Sequence, residues 1–106
     1  MAERRIEWSI EARNDLFRIL KFYRNRIESN KYSIKLNNKI SKTLLTLSKN
    51  PNIGLKTRFE SVKIYNTGDY QIIYEIYDQL ILVILIWDCR RNPYNKRIGK
   101  RISKYT

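Results

Sequence analysis

The sequence contains no histidine and a single cysteine among its 106 residues. Without histidine the usual acid–base side chain is missing, and with it any Ser–His or Cys–His nucleophile. Cys89 has no partner for an internal disulfide, which points to a reducing compartment. It reads as a small packed residue. One thiol and scattered carboxylates do not make a metal site, and no cofactor is expected. Long apolar runs are also missing. The longest covers residues 80–87, whereas a bilayer span needs about 20 residues. Arg4, Arg5 and Glu7 interrupt the stretch where a signal peptide would be apolar. The expected location is the cytoplasm, with no membrane partner. There are no repeats, low-complexity tracts or linkers, so residues 1–106 are expected to form one domain.

Acidic residues are scarce. Ten acids face 22 bases, for a net charge of +12. The excess is local: residues 31–63 carry eight bases against Glu60, and residues 88–106 carry seven against Asp88. Between them, residues 64–87 hold no Lys or Arg at all. Self-repulsion of this size calls for an anionic partner. Nucleic acid would be bound with a strong salt dependence.

What is present is a change of period. Ile6, Glu7 and Trp8 alternate as a short strand, and Ser9 follows as a helix N-cap with Glu11 at the positive end of the dipole. Ala12, Leu16, Ile19, Leu20, Tyr23 and Ile27 recur at helical spacing. A second helix, about 32–49, carries Leu36, Ile40, Leu44 and Leu47 on one face and Lys35, Lys39, Lys42 and Lys49 in solvent. Asn50 and Pro51 stop it. From Val62 the period is two: a strand at 62–65, a turn at 66–69, a strand at 70–77 and a strand at 80–87. The second of these puts Tyr70, Ile72, Tyr74 and Ile76 on one face, with Glu75 at a solvated or ion-paired position on the other. The last is apolar on both faces, which requires an interior place between two neighbours. The N-terminal strand is the remaining neighbour. The expected fold is α+β in β-α-α-β-β-β order, a helical hairpin on a small, mainly antiparallel four-stranded sheet. Trp8 and Trp87 are expected to anchor its core side by side.

Several pieces in this order resemble the RelE/ParE superfamily of bacterial toxins. They are the opening Ile6, Glu7, Trp8 and Ser9 with Ala12, Asp15 and Leu16; the Leu47, Pro51 and Gly54 spacing; the strand from Gly68 through Tyr70, Gln71 and Tyr74 to Ile76; and the exit Asp88, Cys89, Arg90 and Arg91. The likeness covers about residues 6–94. It implies a RelE-like fold and the toxin of a type II toxin–antitoxin module, neutralised by a cognate acidic antitoxin. RelE-like members cut mRNA on the ribosome; ParE-like members inhibit DNA gyrase without nuclease chemistry.

RNA cleavage without metal needs a proton acceptor for the 2′-hydroxyl, cations at the phosphoryl oxygens and a donor for the leaving oxygen. The resemblance assigns this work to Arg90, Lys63 and Tyr94, with Arg91 compensating for Gln71, where the family carries arginine. Lys35, Lys39, Lys42, Lys96, Arg97, Lys100 and Arg101 are the expected nucleic-acid contacts. The leading expectation is thus a metal-independent, ribosome-dependent mRNA endoribonuclease. The alternatives are a ParE-like inhibitor of DNA gyrase and a basic nucleic-acid-binding domain without toxicity.

Overall fold

The computed structural model describes residues 3–27, 31–92 and 96–102, the side chains of 25–27 excepted. A strand, β1 (Arg5–Trp8), leads into two helices, α1 (Ile10–Ile27) and α2 (Lys31–Lys49). A 3-10 turn at Pro51–Ile53 follows, then β2 (Leu55–Lys56), β3 (Val62–Thr67), β4 (Tyr70–Ile76) and β5 (Leu80–Asp88), and last α3 (Ile98–Arg101). The strands form one sheet in the order β1-β5-β4-β3-β2. The sheet thus has five strands where the sequence pattern predicts four, because the two-residue β2 pairs with β3 at Leu55↔Ile64 and Lys56↔Lys63. Two residues are too few to show alternation.

β5 lies in the interior, parallel to β1 and antiparallel to β4. Its doubly apolar run is explained by a core on each side. On one face, Ala12 and the α2 stripe Leu36, Ile40, Leu44 and Leu47 meet Tyr70, Ile72, Tyr74, Ile81, Val83 and Ile86. On the other, Val62, Ile73, Ile84, Leu85 and Trp87 are covered by Phe59, Ile98 and Ile102. The tail therefore roofs the second face. At the start of α1, the Ser9 Oγ accepts the Ala12 N–H at 3.0 Å, the N-cap the sequence implies.

One irregularity decides where the chemistry sits. Ile73 pairs with Leu85 but Tyr74 pairs with Val83, which leaves Ile84 as an extra residue in β5. A bulge of this kind inverts the alternation beyond it. Ile84 and Leu85 both join the second core, Ile86 returns to the helical side, and Trp87 faces the tail. Trp8 and Trp87 therefore lie on opposite faces of the sheet, not side by side. Glu75 is not solvated: it is only 2% exposed, and its carboxylate accepts the Tyr77 hydroxyl at 2.8 Å.

Two of the motifs that carried the resemblance meet in this frame. The Tyr74 hydroxyl, from β4, donates to the Pro51 carbonyl at 2.7 Å. Gly54 lies directly against the same phenol, where a Cβ would collide with the Tyr74 oxygen and sit 3.0 Å from the Lys63 Cβ. The proline–glycine turn and the strand tyrosine are thus two halves of one clamp.

Candidate functional site

β1 ends at Trp8, so the edge of β5 beyond Val83 has no strand beside it. Side chains take the vacant ladder positions. Asp15 of α1, 6% exposed, accepts the Ile86 N–H at 3.2 Å. Arg101 of α3 donates to the Ile84 carbonyl at 3.0 Å and forks onto Asp15 at 2.8 and 3.2 Å. Glu11 adds a contact at 3.3 Å to the Arg101 Nε. Hydrogen bonding to Asp15 holds the Arg101 pKa above its ordinary value. Arg101, expected to grip nucleic acid, is turned inward and neutralised. The acid that captures it lies 86 residues away in sequence, beyond the reach of any local pattern.

At the end of β5 the bulge brings Asp88 opposite Tyr70, on the helical face. The chain then turns tightly. Cys89 N–H reaches the Asp69 carbonyl at 2.8 Å and Arg91 N–H the Asp88 carbonyl at 3.0 Å. Arg90 folds back over this corner. Its Nε and Nη2 each lie 2.8 Å from an Asp88 oxygen, and Nη2 also contacts the Tyr23 hydroxyl and the Tyr70 hydroxyl, the latter at 3.2 Å. The Tyr23 and Tyr32 rings lie 4.5 Å apart beside them. Hydrogen bonds from Arg90 push the Asp88 pKa down, and burial pushes the Tyr70 phenol up. The corner therefore holds a self-compensated Asp88–Arg90 pair framed by the Tyr23 and Tyr70 hydroxyls. Arg90 remains half-exposed, but its fork is occupied by its own chain. Periodicity put Tyr23 and Tyr70 on patterned faces and Tyr32 only at the start of the second helix; the sole hint of the pair was Asp88 two residues before Arg90.

Among the described residues, Lys63 stands apart from the Arg90 corner. Lys63 pairs with Tyr74, four residues along β4 from Tyr70, the partner of Asp88. At about 3.3 Å per residue this separates Lys63 from the Arg90 corner by roughly 13 Å. Arg91 lies over the Trp87 ring at 4.8 Å and also lines a cleft with Tyr23 and Asp88. Tyr94 falls outside the described residues. Gln71 pairs with Trp87 on the tail-covered side of the sheet, and Lys96, not Arg91, meets it, with Nζ 2.6 Å from Oε1.

Lys35 and Lys39 line a cleft of about 200 Å³ with Tyr32 and Tyr70, next to the tyrosine corner. Lys42 is exposed further along α2, and Lys100 is exposed on α3. Lys96 and Arg97 line a separate cleft of about 470 Å³ together with Lys56 and Arg58, two residues to which the sequence pattern assigns no role. Among the described residues no cluster of His, Cys, Asp or Glu could hold a metal, and no helix is long and apolar enough to cross a membrane.

Comparison with solved structures finds the same fold in other chains. A structure described as the chromosomal ParDE TA system from P. aeruginosa superposes with a TM-score of 0.68 at 17% identity, over 81% of this chain and 96% of that one. The YoeB dimer from Staphylococcus aureus superposes with a TM-score of 0.55 at 18% identity, over 86% of this chain and 99% of that one. At such identities the likeness is one of fold. No curated protein sequence matches significantly. The sequence pattern of the ParE toxin of type II toxin–antitoxin systems, however, matches residues 6–93, which takes in the capped helix, the Pro51–Gly54 turn with its Tyr74 clamp, and the Asp88–Arg90 corner, and the chain therefore belongs to the ParE toxin family.

Proposed function

We propose that this ParE-family toxin arrests growth by binding its target, DNA gyrase, and not by cutting RNA. One observation carries the reading: the cations that RNA cleavage would need are dispersed. Lys63 and Arg90 are set far apart by the β3–β4–β5 register, and Arg90 is forked onto Asp88. The face that holds Gln71 is built around Val62, Ile73, Leu85 and Trp87 under α3, opposite the face on which Arg90 meets Tyr23 and Tyr70. A rigid corner of Arg90 and three phenols suits a protein contact, since arginine and tyrosine supply most binding energy at such surfaces. A cognate antitoxin is the second partner. Exposed Phe17 and Ile34 flank a groove of about 380 Å³ between α1 and α2, rimmed by Lys21 and Arg24, which suits an acidic amphipathic segment.

The test is induced expression in bacteria with parallel labelling of new DNA and new protein. DNA synthesis is expected to fall first, with induction of the SOS response, and Arg90→Ala is expected to relieve the arrest. Protein synthesis failing first, with fresh mRNA ends in primer extension, would overturn the reading. One observation favours that nuclease alternative: Lys96 and Arg91 flank Trp87 and bring two cations near Gln71.

A further inference from the structure

The arginines of this chain fall into two electrostatic classes. Arg90 and Arg101 are each paired with a carboxylate. Lys56, Arg58, Lys96 and Arg97 are not: among the described residues none of the four belongs to an ion pair. Yet these four line one cleft of about 470 Å³ between the β2–β3 connection and α3, and no acid lines it with them. Four like charges around one cavity repel, and an anionic occupant relieves that repulsion.

The cleft is held in shape. Arg58 stacks over Phe59 at 5.0 Å. Lys96 is tied to Gln71 at 2.6 Å and lies 5.9 Å from the Trp87 ring centre. Arg97 adopts the left-handed conformation, φ 47° and ψ 50°, and is the one non-glycine residue with positive φ among those described. Such a backbone costs roughly 1–2 kcal/mol for a residue with a Cβ, and strain of this kind gathers at ligand-binding positions. Phe59, Ile64 and Ile98 supply an apolar floor.

We infer that this cleft binds the phosphodiester backbone of nucleic acid. Two guanidinium forks match paired phosphate oxygens, while two ammonium groups act as point charges. A nucleic-acid strand delivers a charge about every 3.4 Å and gains entropy from released counterions. The apolar floor suits sugars and base faces. The site is separate from the tyrosine corner, so it stands however growth is arrested; a target that itself holds DNA would bring such a backbone within reach.

The test is fluorescence anisotropy of the whole chain with labelled 12-mers of single-stranded DNA, duplex DNA and RNA, at 50 to 200 mM NaCl. Wild type is expected to bind at least one of them with a steep salt dependence, and the three arms identify the preferred strand. Arg58→Ala with Arg97→Gly removes two charges, the glycine keeping the backbone angle. This variant is expected to bind at least about tenfold more weakly at low salt, with the salt slope reduced by about 2. Arg13→Ala with Lys49→Ala, an equal loss of charge at exposed positions of α1 and α2, is expected to leave the slope within about 0.5 of wild type. Near-UV circular dichroism reports folding. Should the cleft variant misfold, Lys56→Gln replaces it, with an expected drop of about 1 in slope. No binding by wild type, equal losses in both double variants, or displacement of the oligonucleotide by an oligoglutamate of equal charge at equal potency would each overturn the proposal, the last by making it a carboxylate site.

Discussion

The Asp15 carboxylate accepts from the Ile86 N–H, from Arg18 at 2.8 Å and from both Arg101 nitrogens. It does so at 6% exposure, so no water stands ready to replace a lost partner. Asp15→Asn keeps the shape but removes the charge that Arg101 faces, and turns one oxygen into a donor pointed at another donor. Breaking a largely buried pair in this way costs about 3 kcal/mol. Arg101→Met is expected to cost less, about 1.5 kcal/mol or below, because Asp15 keeps Arg18 and Ile86 while the methionine preserves the packing of the stem. Urea unfolding of the two variants checks the order. If Arg101→Met proved the more damaging, the plug would be held by the cation and not by the carboxylate. The inward placement of Arg101 on Asp15 was not legible in the sequence for a physical reason of the same kind. Nothing in a run of Lys and Arg tells which member will meet a buried acid on a distant helix.

At the scale of elements, the readable parts were those with a period. The α1 stripe as far as Tyr23, the α2 stripe, the Ser9 cap and the helix-facing side of β4 all follow from spacing and are present, the side chain of Ile27 lying outside those described. The bulge at Ile84 was not readable, because a strand apolar on both faces shows no alternation for a bulge to interrupt. Its consequences were hidden with it: the reversal of Trp87, and the delivery of Asp88 and Arg90 to Tyr70 and Tyr23. The Tyr74 clamp joins elements that the sequence showed only as two motifs, and it carries a pH signature. Burial pushes the Tyr74 phenol up to about 12, although the Gly54 amide pulls the other way. An unfolded tyrosine ionises near 10. The folded value is the higher, so the clamp contributes its full stability below about pH 10 and loses it as pH rises toward 12. The loss is about 1.4 kcal/mol for each pH unit in that window. Tyr74→Phe is expected to be less stable than wild type at pH 7 by about 1 kcal/mol, for the lost bond to Pro51. Between pH 10 and 12 its stability should fall less steeply than that of wild type, and the contribution of Tyr70, present in both proteins, cancels in the difference. Parallel pH–stability curves for the two proteins would show that the phenol is not the group that burial has shifted.

For the molecule as a whole the question is whether +12 or the ion pairs govern the response to salt. Raising NaCl from 0.05 to 0.5 M shortens the screening length from roughly 14 Å to roughly 4 Å. That weakens repulsion among the exposed cations of α2 and of the Lys56–Arg97 cleft, which act over such distances. It weakens the Asp15–Arg101 contact far less, because its charges are 2.8 Å apart and sheltered from solvent. The exposed pairs Arg5–Glu7 and Lys49–Glu3 are each worth little to begin with. Repulsion therefore wins, and the free chain is expected to be stabilised by salt, by about 1 kcal/mol or roughly 5 °C in Tm. A polyanion inverts the trend. With a 12-mer oligonucleotide present, the low-salt Tm rises by mass action on the folded state, while high salt releases the ligand. The two curves should converge as salt increases. Thermal scans of chain alone and chain with oligonucleotide across the salt range check both halves. A free-chain Tm that falls with salt would mean that the surface pairs, and not the unpaired cations, set the electrostatics of this toxin.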